Sequence, residues 1–267
     1  MSELVLVEDA APHVRLVKLN RPEELNALNA DLCTALHEEL ERAAGDRTCR
    51  VIVLTGEGRG FCAGLDLKGF GQAPGNDGSD TARDHFSNQM YMSRLILRVR
   101  STPQPVIAAV NGPAAGFGLA LALASDIRYA ARSAVFRAAF VNIGLSNCDM
   151  ATSWLLPRLI GASRSHELML TGRRVPADEA ERIGLVADVV DDERLLERSL
   201  EGAEQIAGWA PWGIRLTKQG MWTALEISEQ AAIEYEDRQQ IMAVHGTAMP
   251  EAISAFLEKR KPDFSRF

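Results

Sequence analysis

The sequence predicts an α/β fold built on parallel strand pairing, and three observations carry that reading. Two short, mostly apolar stretches, VIVLT (51–55) and PVIAAV (105–110), have the composition of strands covered on both faces. Each runs into a glycine-rich turn, so a strand–glycine turn–helix unit occurs twice, after Thr55 and after Val110. Strand and helix patterns alternate through the first part of the chain, as they do where helices cross between parallel strands.

The elements follow in order. HVRLVKLN (13–20) is rich in β-branched and apolar residues and stops at the turn signal Arg21-Pro22. From Asn29 the pattern is helical: Leu32, Ala35, Leu36, Leu40 and Ala43 share a face, with Glu38, Glu39 and Glu41 elsewhere. VIVLT leads into the turn GEGRGFCAGLDL, and the Gly-, Asp- and Ser-rich stretch 69–80 reads as a mobile loop. A helix is expected over 81–100, then PVIAAV, a second glycine turn and an apolar helix. DIRYA (126–130) and Val135-Phe136 are strand candidates. Beyond Asp149 helices dominate, at 150–160, 164–171 and 177–183, the last after Pro176, a natural first-turn residue. LVADVV (185–190) is one last strand. Helices 192–208, 211–225, 228–244 and 250–260 close the chain. A core over 1–200 is expected, with 201–267 as a helical layer serving oligomerisation.

Composition narrows the function. The 267 residues are enough to bury a substantial core, with 46% hydrophobic and 24% charged residues. A net charge of −7 argues against nucleic acid as the main ligand. The four cysteines (Cys33, Cys49, Cys62, Cys148) form no CxxC pair, and His13, His37, His166 and His245 show no metal spacing, so free thiols and no metal site are expected. The start, MSELVLVEDA, has no long apolar run of the signal-peptide type, and the longest apolar stretches are too short to span a bilayer. A soluble cytoplasmic protein is the expectation.

The glycine turns carry the chemistry. Glycine leaves backbone N–H groups open to a ligand, and the helix that follows adds its positive dipole end. Two such turns side by side could aim two N–H groups at one oxygen, an oxyanion hole worth about 2.7–4 kcal/mol per donor in a transition state. Neither turn ends in Gly-Lys-Ser/Thr and no G-x-G-x-x-G occurs, so a phosphate P-loop and a dinucleotide fingerprint are both excluded. The helix after the second turn is chemically blank: from Phe117 to Ser125 the only polar side chain is Ser125 itself.

RPEELNALN, VIVLTGEGRGFCAGLDLK, PVIAAVNGPAAGFGLALALASDIRYA, LPRLIG, LMLTGRRVPADEAERIGLV and AFLEKRKPDF resemble, in that order, the motifs of the crotonase (enoyl-CoA hydratase/isomerase) superfamily. The resemblance covers nearly the whole chain. It implies a crotonase-like spiral of ββα units with a C-terminal helical region that makes a homotrimer or a dimer of trimers. It implies an acyl-CoA thioester whose carbonyl meets the N–H groups of Leu65 and Phe117. Coenzyme A, as part of the substrate and not as a cofactor, would lie along Glu23, Leu25, Ala27, Ala63, Asp66, Lys68 and Gly116, with Lys259 or Lys261 from a neighbouring subunit. Glu23 stands where some hydratases carry a basic residue, which removes one phosphate contact.

The same resemblance exposes two losses. Ordinary hydratases use two glutamates, one four residues after the glycine matching Gly116 and one four residues before the glycine matching Gly144. Here those positions are Ala120 and Phe140, and an apolar side chain moves no proton. The acid that remains nearby is Asp149, eight residues before Pro157. That spacing is similar to the position of the proton-shuttling carboxylate in enoyl- and dienoyl-CoA isomerases, and of the aspartate nucleophile in 4-chlorobenzoyl-CoA dehalogenase. Dehalogenation fits less well, because Gln89, Met90 and Ser93 lie near its histidine position and Phe140 or Val141 near its tryptophan. Two readings of Asp149 stay open: catalytic acid/base, or the N-cap of the following helix, a role worth about 1 kcal/mol. The expected activity is double-bond isomerisation, or an atypical hydration using Asp149, in fatty-acid metabolism. A non-catalytic acyl-CoA-binding protein is the alternative. His85, Asn142, Ser146 and Asn147 are lesser candidates for orienting substrate or water. Cys62 and Cys148 read as small packing residues, Trp154 and Phe140 as walls of the acyl tunnel or core, and Phe136 as core.

Overall fold

A computed structural model describes residues 3–79 and 81–266. Its strands are β1 (Val5–Ala11), β2 (Val14–Leu19), β3 (Val51–Gly56), β4 (Val106–Val110), β5 (Pro113–Ala115), β6 (Ile127–Ala131), β7 (Val135–Arg137), β8 (Val175–Pro176) and β9 (Asp188–Val190). Six of them form one sheet in the order β1-β2-β3-β4-β6-β9, and β5-β7-β8 form a smaller one. In the larger sheet every neighbouring pair from β2 onward is parallel, and only the β1–β2 hairpin is antiparallel. The helices are α1 (Ala30–Gly45), α2 (Ala82–Ser101), α3 (Phe117–Ala124), α4 (Thr152–Ile160), α5 (Ala162–Thr171), α6 (Ala177–Arg182), α7 (Leu195–Ala207), α8 (Pro211–Ala224), α9 (Glu229–Val244) and α10 (Ala248–Leu257).

The two strands read as covered on both faces are so covered: every residue of β3 and of β4 is buried. Their side chains alternate between two cores, as the period of two requires. Ile52, Leu54, Val106, Ala108 and Val110 face the larger core with α1, α2 and α3. Val51, Val53, Ile107 and Ala109 face a smaller one closed by Leu195, Ala203 and Ala207 of α7. α1 forms where its apolar stripe and its cap agree, the Asn29 side chain accepting from the Leu32 N–H at 2.9 Å. α3 is buried along its whole length, which is why it carries only Phe, Leu, Ala and Gly.

Two expectations change. β1 was not anticipated: only Val5 of its residues is buried and it carries Glu8 and Asp9, the look of an exposed edge rather than a core strand. The boundary expected between 200 and 201 falls inside α7, which packs on β3, β4 and β6 along its length. The region that stands off the sheet begins instead at α8. The 69–80 stretch forms no helix or strand over its described residues 69–79, and Asp80 lies outside them.

α8 is moored to the core by a buried ion pair, Lys218 Nζ to Asp126 Oδ2 at 2.8 Å. Trp222 Nε1 donates to the other carboxylate oxygen at 2.7 Å, and Lys218 also donates to the carbonyl of Gln104 at 2.9 Å. Beyond that anchor the helices expose large apolar side chains, among them Met221, Ile233, Ile241 and Phe256. Among the described residues no helix is long and apolar enough to cross a membrane.

Candidate active site

The two glycine turns meet. Cys62 bridges to Ala114 in parallel fashion: its N–H donates to Pro113 and its carbonyl accepts from Ala115. Leu28 bridges to Leu65 on the opposite side, its N–H donating to Gly64 and its carbonyl accepting from Asp66. Hydrogen-bonding groups alternate along an extended chain. With Gly64 and Asp66 committed toward Leu28, the Leu65 N–H faces the β5–α3 side. A Cβ built on Gly64 would stand 3.0 Å from the Ala115 carbonyl oxygen and 3.9 Å from the Phe117 nitrogen. Phe117 is the first residue of α3, where a helix leaves its N–H groups without intrahelical partners. Among the described residues, nothing accepts a hydrogen bond from the N–H of Leu65 or of Phe117.

Two glycines make the approach possible. Gly116 has φ 50° and ψ −111°, a conformation that a Cβ disfavours. Gly118 lies so near that a Cβ on it would overlap the Cys62 carbonyl oxygen. Asn111 and Asn26 complete the joint. The Asn111 amide donates to the carbonyls of Gly56 and Gly58, both at 2.9 Å, and accepts from the Gly56 N–H at 3.2 Å. The Asn26 amide donates to Gly60 at 2.8 Å and Glu57 at 3.0 Å. Sequence reasoning missed both, although an asparagine closing an apolar strand, as in PVIAAVN, is a usable signal.

The strip expected to hold coenzyme A is drawn together in part. Ala63 donates to the Leu25 carbonyl at 2.9 Å, and Leu25 and Asn26 both adopt left-handed φ, which turns the chain beside it. Asp66 is largely buried and paired with Arg21 at 2.9 Å, and it accepts from the Lys68 N–H at 3.0 Å. Arg21 holds the Asp66 carboxyl below its ordinary range. Arg21 also donates to the Ala27 carbonyl at 2.6 Å. Asp66 thus acts within the protein as a brace for the segment carrying Leu65. The Gly116 N–H is likewise spent on the Arg137 carbonyl at 3.0 Å. Glu23 and Lys68 are exposed at the edge of this strip, and Lys259 and Lys261 are exposed beyond α10.

The two glutamate positions carry buried apolar side chains. Ala120 is fully buried in α3. Phe140 is buried in a short 3-10 turn (Phe140–Ile143), and its ring edge stands 3.4 Å from where a Gly116 Cβ would be. It therefore walls the second glycine loop as well as filling the core. Asp149 is half-buried, and its Oδ1 accepts from Gln89 Nε2 on α2 at 2.6 Å and from the Met150 N–H at 2.7 Å. The N-cap reading fails. α4 begins at Thr152 with Ala151 as its cap residue, and no side chain caps it. Thr152 does donate to Asp149, but to its main-chain carbonyl. The chain turns into α4 through Met150 and Ala151, both at left-handed φ (49° and 60°), which displaces the helix start and frees the carboxylate from capping.

The lesser candidates separate. Asn147 is buried and wholly engaged in structure, accepting from the Phe140 N–H at 2.9 Å and donating to Ala138 and Met169 carbonyls at 3.1 and 2.6 Å. Ser146 Oγ accepts from the Cys148 N–H, and Asn142 and His85 are exposed. The guanidinium groups of Arg100 and Arg158 stand 4.6 and 3.9 Å from the ring centre of Trp154, on the rim of the core. Cys62 is buried, which pushes its thiol up to about 12. Among the described residues no group of His, Cys, Asp and Glu could hold a metal ion.

Comparison with known proteins places this geometry. A family profile described as "Enoyl-CoA hydratase/isomerase" matches residues 9–266. The chain is 45% identical to the probable enoyl-CoA hydratase EchA12 of Mycobacterium tuberculosis, over 98% of this chain and 93% of that one. It is 39% identical to the 1,2-epoxyphenylacetyl-CoA isomerase of Escherichia coli, over 94% of this chain and 95% of that one. The crystal structure of a probable enoyl-CoA hydratase/isomerase from Mycobacterium abscessus superposes with a TM-score of 0.91 at 41% identity, covering 98% of both chains. With the parallel sheet, the paired glycine turns and matches across nearly its whole length, the chain belongs to the enoyl-CoA hydratase/isomerase family of the crotonase superfamily and is an enzyme of that family.

Proposed function

We propose that this enzyme shifts a carbon–carbon double bond in an enoyl-CoA thioester, with Asp149 as its single acid/base. Asp149 takes a proton from C2 or C4 and returns it at the other carbon. The N–H groups of Leu65 and Phe117 form the oxyanion hole that stabilises the dienolate between the two transfers. The observation that carries the reading is the contrast between an oriented carboxylate at 149 and apolar groups at both glutamate positions. α2, which bears Gln89, and α4, which follows Asp149, both pack on α3, whose first N–H lies at the glycine loops. One carboxylate suffices for a proton shuttle, whereas paired-glutamate hydration needs two groups.

In this reading coenzyme A enters as part of the substrate, along the 23–27 and 63–68 strip, and no separate cofactor is needed. The exposed apolar side chains of α8–α10 support a homotrimer or dimer of trimers. We place the activity in fatty-acid metabolism. The test is Asp149→Asn assayed on a panel of 2-enoyl-, 3-enoyl- and dienoyl-CoA thioesters. Turnover is expected to fall by about 100-fold or more, and unchanged turnover would reject the assignment. Labelled solvent oxygen in the product would instead mark an atypical hydration through Asp149. The non-catalytic alternative is not favoured, since the relatives bear the names of enzymes.

A further inference from the structure

We infer that Gln89 is a positioning residue for Asp149, selecting which carboxylate oxygen works as the base; this rests on the reading of Asp149 above. Oδ1 is occupied by two N–H donors at 2.6 and 2.7 Å, from Gln89 and Met150. Among the described residues no donor reaches Oδ2. A carboxylate with one oxygen held by two donors and the other open presents that one oxygen to substrate, as a proton shuttle between two carbons of one chain requires.

The surroundings point the same way. Asp149 is followed by two residues at left-handed φ, neither of them glycine. Such backbone persists only where other contacts hold it. α2 supplies those contacts from one face. Gln89 takes Asp149, and one turn later Ser93 Oγ stands 3.5 Å from the Met150 sulfur. The neighbouring Asn88 turns to the 69–79 segment, its Oδ1 accepting from the Ala73 N–H at 2.8 Å and from Asn76 Nδ2 at 2.9 Å. One helix therefore ties the irregular segment and the acid/base together, and Gln89 is the link that reaches the carboxylate.

The experiment compares Gln89→Met, Gln89→His and Asp149→Asn in the full-length enzyme. The assay follows conversion of a 3-enoyl-CoA to its conjugated 2-enoyl isomer by ultraviolet absorbance. Methionine keeps the length and removes the donor, and histidine returns an N–H at similar reach. Gln89→Met should lower kcat about tenfold or more with KM within about twofold and the melting temperature unchanged. Gln89→His should recover most of the lost kcat. If Asp149→Asn is inactive while Gln89→Met turns over like wild type, the Gln89 assignment falls alone. Loss of turnover in both Gln89 variants with lowered melting temperatures also overturns it, because the role is then structural. If Asp149→Asn keeps wild-type turnover, or the wild type converts no 3-enoyl-CoA, the reading beneath it falls as well.

Discussion

Replacing Gly118 with alanine tests whether the two glycine loops act as one unit. On helix propensity alone the change should stabilise, because alanine gains about 1 kcal/mol over glycine inside a helix. The packing predicts the opposite sign. A Cβ on Gly118 would overlap the Cys62 carbonyl oxygen, and it would stand 2.8 Å from the carbonyl carbon where ordinary contact begins at 3.4 Å. The oxygen is nearer than the carbon, so the two segments must part by about 1 Å or more. The obstructing atoms are mainly backbone and cannot rotate away, so the upper end of the overpacking cost applies. The net loss is about 2 kcal/mol after the helix gain, read as the shift of the urea midpoint at constant slope. Function should suffer beyond stability, because the displaced segments carry the Leu65 and Phe117 N–H groups of the proposed oxyanion hole. A misplacement of about 1 Å costs about 100-fold in kcat. An alanine variant at least as stable as wild type, with undiminished turnover, would refute the reasoning.

Two further outcomes follow from burial and charge. Burial pushes the thiols of Cys33, Cys49 and Cys62 up to about 12, 11 and 12, whereas Cys148 is exposed. A thiol-specific chromogenic disulfide should therefore titrate Cys148 alone in the native enzyme and all four cysteines after unfolding; fast reaction of a second native thiol contradicts this. Asp46 is held down at about 2 by the Thr48 hydroxyl and N–H and by Arg15 beside it. A carboxylate depressed by folding contributes stability above its ordinary 3.8, and the contribution is lost as pH falls toward 2. Denaturant midpoints measured from about pH 5 to about pH 2.5 should fall less steeply for Asp46→Asn than for wild type. Parallel slopes would remove Asp46 from the acid response.

The parts of the site that were legible in sequence rest on local physics. Gly116 and Gly118 are readable because a backbone that turns sharply and then packs against another backbone admits almost nothing else. The absence of acid at Ala120 and Phe140 is readable because an apolar side chain stays apolar in any fold. The N-cap reading of Asp149 failed for a local reason that sequence does not display. Met150 and Ala151 take left-handed φ without being glycine, so no sequence signal announces that the helix starts three residues later. The Arg21–Asp66 brace is not legible in sequence because its partners lie 45 residues apart.

By itself the sequence determined the parallel α/β class, the two strands buried on both faces and the two glycine turns, while the family rests on the resemblance of whole motifs. Periodicity, composition and turn chemistry act over a few residues and need no distant partner. Only the tertiary structure decided that β1 joins the sheet at its edge, that α7 belongs to the core, and that Asp149 meets Gln89 from 60 residues away. A side chain's partner is chosen by how whole helices pack. Asp149 reads alike in sequence as a cap or as a base, and the docking of α2 leaves one of its oxygens open.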